Sequence, residues 1–278
     1  MKFTIFSAIS ATLMLSSASS AFAQSGFPDN FSTEVSGLYI GQPAAEAKSV
    51  IEEIYPNNLE NVAKPEKLIG AGKTQRAGDL HETRTAKLQE PEMEFPVAYL
   101  ARPVEEYISS RFLTEYRTPE GGVSVLLSSP ESGSKVEAIY RRISFDTPKD
   151  QDAVMAQVAE QFGEPHATLR DAYLYSFKDG APLDTGDDVR PHRVCASNML
   201  RDMKVERSST LLEPNKYLNN YFSLAWNKAN QNVLDTCDAS MLAAVRTNDD
   251  GLVYSITFTM LDHAAMMADM NALQAALQ

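Results

Sequence analysis

Apolar positions along this chain switch between helical and strand spacing twice. From Gly41-Gln42-Pro43 onward, Ala47, Val50, Ile51 and Ile54 fall on one helical face. Pro43 suits the first turn, Glu46 sits near the positive end of the helix dipole, and Pro56-Asn57-Asn58 stops the helix. Residues 57–95 are charged and poor in β-branched residues, and read as a long connection with room for a short helix. Strand-like runs then follow at Arg111–Arg117, Val123–Ser128 and Lys135–Phe145, with turns at Gly121-Gly122 and Pro130–Ser134.

The same plan then repeats. Thr147 is expected to cap a second helix, with Pro148 at its first position and Asp150 and Asp152 in its first turn. Val154, Val158 and Phe162 recur at four-residue spacing, and Gly163 and Pro165 end the helix. Tyr173–Phe177 and Tyr221–Trp226 alternate like half-buried strands. Ser240–Arg246 and Leu252–Leu261 flank Thr247-Asn248-Asp249-Asp250-Gly251, a hairpin signal. A closing helix is expected from about His263 to Leu277, with Met266, Met270, Leu273 and Leu277 as its apolar stripe. The pattern implies an α+β protein: two helix-then-antiparallel-strands units, 41–146 and 147–278, with helices packed on sheet faces. Residues 179–220, rich in Asp, Pro, Arg and Ser, interrupt the second unit and are too long for an ordinary hairpin loop. Residues 24–40 read as a polar N-terminal arm.

Gly37-Leu38-Tyr39-Ile40-Gly41-Gln42-Pro43, followed by Glu46-Ala47, resembles the helix-opening phrase of small exported α/β repeat modules. The beta-lactamase inhibitor protein and the small outer-membrane assembly lipoproteins are of this type. Thr147–Pro165, ending Phe-Gly-Glu-Pro, is similar to such modules as well. The resemblance covers about a third of the chain and carries no catalytic residues. It departs in lacking a lipidated Cys and in having the 179–220 insertion. It implies a protein-binding or envelope role rather than chemistry.

The first residues supply an address. Met1-Lys2 starts positive, Ile5 to Leu15 is mostly apolar, and Ala21-Phe22-Ala23 places small residues at the −3 and −1 positions of a cleavage site. This layout predicts a signal peptide over residues 1–23, cleaved after Ala23, and a periplasmic or secreted mature protein. The apolar stretch is shorter than the roughly 20 residues of a membrane span. No later stretch approaches about 18 uncharged apolar residues, so no transmembrane segment is expected.

Export bears on the two cysteines, Cys195 and Cys237. In an oxidising compartment two thiols are expected to pair, which would pin the insertion to the strands that follow. Composition then narrows the partners. A net charge of −12, from 25 Lys+Arg against 37 Asp+Glu, argues against nucleic acid and anionic lipid. With 44% apolar residues the chain can bury a sizeable core.

Several short motifs suggest chemistry and lack the context it requires. Asp184-Thr185-Gly186 matches aspartic proteases, but that reaction needs two such carboxylates, and Asp187 and Asp188 would disturb the shared proton. Gly70-Ala71-Gly72-Lys73-Thr74 lacks the first Gly of a phosphate loop. Ser132-Gly133-Ser134-Lys135 falls in a turn rather than opening a helix. His263, Met266, Met267 and Met270 place imidazole and thioethers on nearly one helix side, a donor set suited to Cu(I), but the stripe continues into Leu273 and Leu277 as a core face does, and a Met-rich core stripe is the stronger reading. The sequence therefore assigns no catalytic residue and no cofactor. Arg190, Arg193, Arg201, Lys204 and Arg207 form a basic stretch within an acidic chain, and Tyr217 lies near its end. These residues are the candidate docking surface for another exported or envelope protein. An exported hydrolase with a dispersed site is the alternative.

Overall fold

Asp150 shows how local chemistry sets an element boundary. Its side chain accepts the Ala153 N–H at 2.9 Å, which caps the helix α2, Gln151–Phe162. The cap lies at Asp150 rather than Thr147 because the preceding strand continues through Pro148 to Lys149, where Lys149 pairs with Val253. Gly163 ends α2 at φ +84°, a conformation costly for any residue with a Cβ.

The computed structural model describes residues 25–55, 80–89, 92–102, 122–203 and 235–276. In chain order the elements are β1 (Glu34–Val35), β2 (Leu38–Tyr39), α1 (Ala44–Ile54), β3 (Leu80–Gln89), β4 (Glu92–Arg102), β5 (Gly122–Leu127) and β6 (Val136–Lys149). After α2 come β7 (Ala167–Leu169), β8 (Ala172–Lys178), β9 (Ala181–Pro182), α3 (Arg190–Met203), β10 (Ala239–Thr247), β11 (Val253–Asp262) and α4 (His263–Ala276). The protein is α+β. The signal-peptide segment and the expected strands Arg111–Arg117 and Tyr221–Trp226 lie outside the described residues.

Nine strands form one antiparallel sheet in the order β3-β4-β5-β6-β11-β10-β8-β7, with β9 on β8. Each half of the sheet follows one helix in sequence, α1 before β3–β6 and α2 before β7–β11. The last strands of the two halves, β6 and β11, pair at the centre. Ile139 opposes Met260, Met260 opposes Met241, and Met241 opposes Tyr175, so the apolar alternation stays in register across the seam. These side chains join Ala47 and Ile51 of α1 and Val154, Val158 and Phe162 of α2 in one core. Full burial of an aliphatic or aromatic side chain contributes about 2 kcal/mol. The opposite face carries Ser240, Ser255, Thr259 and Arg142, all buried, and α3 and α4 pack on that side.

Two stretches differ from the sequence reading. Residues 57–95 include β3 and the start of β4 rather than a plain connection. Within the expected arm, residues 25–40 are docked. The Phe27 and Phe31 rings stack at 5.5 Å, and Phe31 meets Phe177 edge-on at 4.7 Å. Ser25 Oγ and the Gly26 N–H donate to the buried Asp262 carboxylate at 2.7 and 3.1 Å. A Cβ on Gly26 would overlap the Asp238 carbonyl, so glycine is required there. Next in the chain, Gln42 is fully buried; its Nε2 donates to Gly37 O at 3.1 Å, which ties the β1–β2 turn to α1.

Candidate functional site: the pinned helix of the insertion

The insertion starts with β9 paired to β8 and then turns. The Gly186 N–H returns to Asp184 Oδ1 at 3.2 Å and Gly186 has φ +56°, so Asp184-Thr185-Gly186 serves as an Asx-type turn. Asp188 and Arg190 then form a forked ion pair, with Arg190 Nε to Asp188 Oδ1 at 2.9 Å and Nη2 to Oδ2 at 2.8 Å. The guanidinium hydrogen bonds lower the Asp188 carboxyl to about 2. Pro191 lies in the first turn of α3, where its missing N–H costs nothing. The insertion, whose sequence gives no clear helical spacing, contains this helix. Pro191 was the available signal, but the segment's polarity masks its periodicity.

Three contacts lock the inner side of α3. Cys195 and Cys237 are both buried and form a disulfide with their Cα atoms 6.1 Å apart. The Ser240 hydroxyl donates to the Cys195 carbonyl at 3.1 Å. His192, also buried, reaches Thr185 Oγ1 through Nε2 at 3.0 Å. Because the Thr185 hydroxyl donates to Asp188 O at 2.7 Å, it accepts from His192, and the His192 proton resides on Nε2. Among the described residues its Nδ1 is then a buried lone pair without a hydrogen-bond partner. Burial and the nearby His166 both lower the His192 pKa.

The outer side of α3 is basic. Arg190 and Arg193 are exposed, and the Arg190 side chain is 85% accessible. At about 100° per residue, positions 190, 193 and 201 share one side of the helix, opposite His192, Cys195 and Ala196. Of this stretch, Arg190 is already engaged by Asp188. Lys204, Arg207 and Tyr217 lie outside the described residues.

The remaining candidates have defined places. His263 is fully buried, with Nε2 3.1 Å from Ser240 Oγ. Both the Ser240 hydroxyl and the His263 ring hydrogen-bond the Cys195 carbonyl, which ties the pair to the inner side of α3. This Ser–His pair is structural: Ser240 and His263 are each 1% exposed, and burial lowers the His263 pKa to about 4. Met266 is buried and Met267 half-buried, while Met270 lies in α4. Among the described residues no group of three or more His, Cys, Asp or Glu side chains is arranged to hold a metal. Also among them, no helix is long and apolar enough to cross a membrane. Ser132-Gly133-Ser134-Lys135 lies in a turn, with Gly133 and Ser134 at φ +88° and +50°.

Comparison with protein-family models, curated proteins and solved structures returns no match.

Proposed function

We propose that this chain is an exported, non-enzymatic module that binds another protein of the cell envelope or exterior. Its docking surface is the outer side of α3 and the insertion that α3 opens. The observation that carries this reading is the asymmetry of α3. Its inner side is held by the disulfide, Ser240 and Thr185, and its outer side presents arginine to solvent. A rigid support with Arg exposed opposite to it is suited to recognition, since Arg binds carboxylates with little loss of order. The surrounding chain is acidic, so a basic face selects an acidic patch on its partner.

The test is charge reversal. The mature protein and its Arg193→Glu, Arg201→Glu double variant would be immobilised and exposed to native envelope extract at two salt concentrations. The expected result is a stoichiometric partner, identified by mass spectrometry, whose capture weakens with salt and is lost in the double variant. A partner retained equally by both proteins would remove α3 as the docking surface. No partner at either salt would withdraw the reading in favour of small-molecule chemistry.

A further inference from the structure

The two edges of the sheet are built differently. One ends on the three-residue β7 and the two-residue β9, lengths that blunt an edge against pairing. The other ends on β3, which runs for ten residues and among the described residues has a strand on one side only. The β3–β4 hairpin also outgrows the sheet. β5 pairs β4 over Ala98–Ala101, whereas β3 pairs β4 from Leu80↔Arg102 to Gln89↔Glu92. The far part of the hairpin is thus a two-stranded ribbon among the described residues, a form marginally stable by itself in water. An additional strand on β3 would extend the ladder and support the ribbon.

We infer that the β3 edge pairs antiparallel with β3 of a second copy of this chain, with Thr83 on the two-fold axis. Two copies joined edge to edge must be related by an axis normal to the sheet, so directly opposed positions share a face and one residue opposes itself. The charges along Leu-His-Glu-Thr-Arg-Thr-Ala-Lys-Leu-Gln select among those registers. An axis at Glu82, Arg84 or Lys87 sets like charges against each other at the centre. An axis at Thr85 or Ala86 opposes no opposite charges within the strand. An axis at Thr83 sets position 82 against position 84 twice, Glu opposite Arg, and opposed charges of opposite sign favour pairing. Thr83 itself is exposed. The result is a sheet continuous across two copies, with the α3 surfaces at its distal ends. The interface is independent of the partner proposed for α3.

Sedimentation equilibrium of the mature protein across micromolar to sub-millimolar concentrations tests the inference. The expected result is a reversible dimer. Glu82→Arg and Arg84→Glu should each weaken it about ten-fold, and the double charge swap should restore it. A disulfide trap reads the register separately from fold stability. Thr83→Cys should give a covalent dimer under mild oxidation, because directly opposed Cα atoms lie about 5 Å apart. Arg84→Cys should not, being offset from its own copy. A monomer at every concentration overturns the inference. So does a double swap no better than either single variant, or efficient trapping through position 84 rather than 83.

Discussion

Replacing Cys195 and Cys237 together by alanine removes the link between α3 and the strand that follows the insertion. Cys195 and Cys237 are separated by 42 residues in sequence, and both are buried beside Leu183 and Val194. In the chain-entropy model, closing a loop of that length lowers the entropy of the unfolded state by the equivalent of about 4 kcal/mol. Alanine is chosen because it leaves no unpaired thiol, and the small volume lost adds about 1 kcal/mol. Urea unfolding is the assay. With a slope of about 3 kcal/mol per molar for a chain of this size, the midpoint should fall by about 1.7 M. Hydrogen exchange then separates two ways of losing stability. If the disulfide positions α3, amides of α3 should lose protection before those of β10 and β11. An unchanged midpoint together with unchanged α3 protection would refute the claim that the disulfide holds the insertion in place.

Three further outcomes are expected. Unfolded histidine has an ordinary value of 6.5, and buried His263 lies at about 4, so between these values the unfolded chain binds a proton that the native chain does not. Stability should be complete above about pH 6.5 and decline by about 3 kcal/mol as the pH falls towards 4. His263→Gln should flatten that slope in urea titrations, and an unaltered slope would assign it elsewhere. Asp262→Ala removes the acceptor shared by Ser25 Oγ and the Gly26 and Ala265 N–H groups. It should cost about 2–3 kcal/mol and open the 25–31 segment to limited proteolysis; resistance equal to the parent would show that the tether is dispensable. Asp150→Ala deletes the α2 cap and should cost about 1 kcal/mol by urea unfolding, while Asp150→Asn, which keeps an acceptor, should cost less.

The elements legible in the sequence were those whose signal is local. Asn248 accepts the Asp250 and Leu252 N–H groups and Gly251 sits at φ +79°, so the β10–β11 turn is written in four residues. α2 and α4 are legible through their apolar spacing, and α2 also through Gly163 at its end, whereas its cap is Asp150 rather than Thr147. β3 and β4 were missed because an edge hairpin with His81, Glu82, Arg84 and Lys87 lacks the apolar alternation of a half-buried strand. The docking of 25–31 was missed because its signal is two isolated aromatics, Phe27 and Phe31, whose partners lie more than a hundred residues away. In the candidate site the disulfide followed from export and a cysteine count, and the basic stretch from composition. The hydrogen bonds of His192 and Ser240 connect residues that only the tertiary fold brings together.

The most direct measurement of the docking claim is photo-crosslinking from α3 in the native envelope. A photoreactive side chain would be placed at the exposed position 193, and at exposed Lys48 on α1 as the control. If α3 presents the docking surface, irradiation should give one discrete, salt-sensitive adduct from position 193 and none from position 48. The same adduct from both positions, or from position 48 alone, would contradict it.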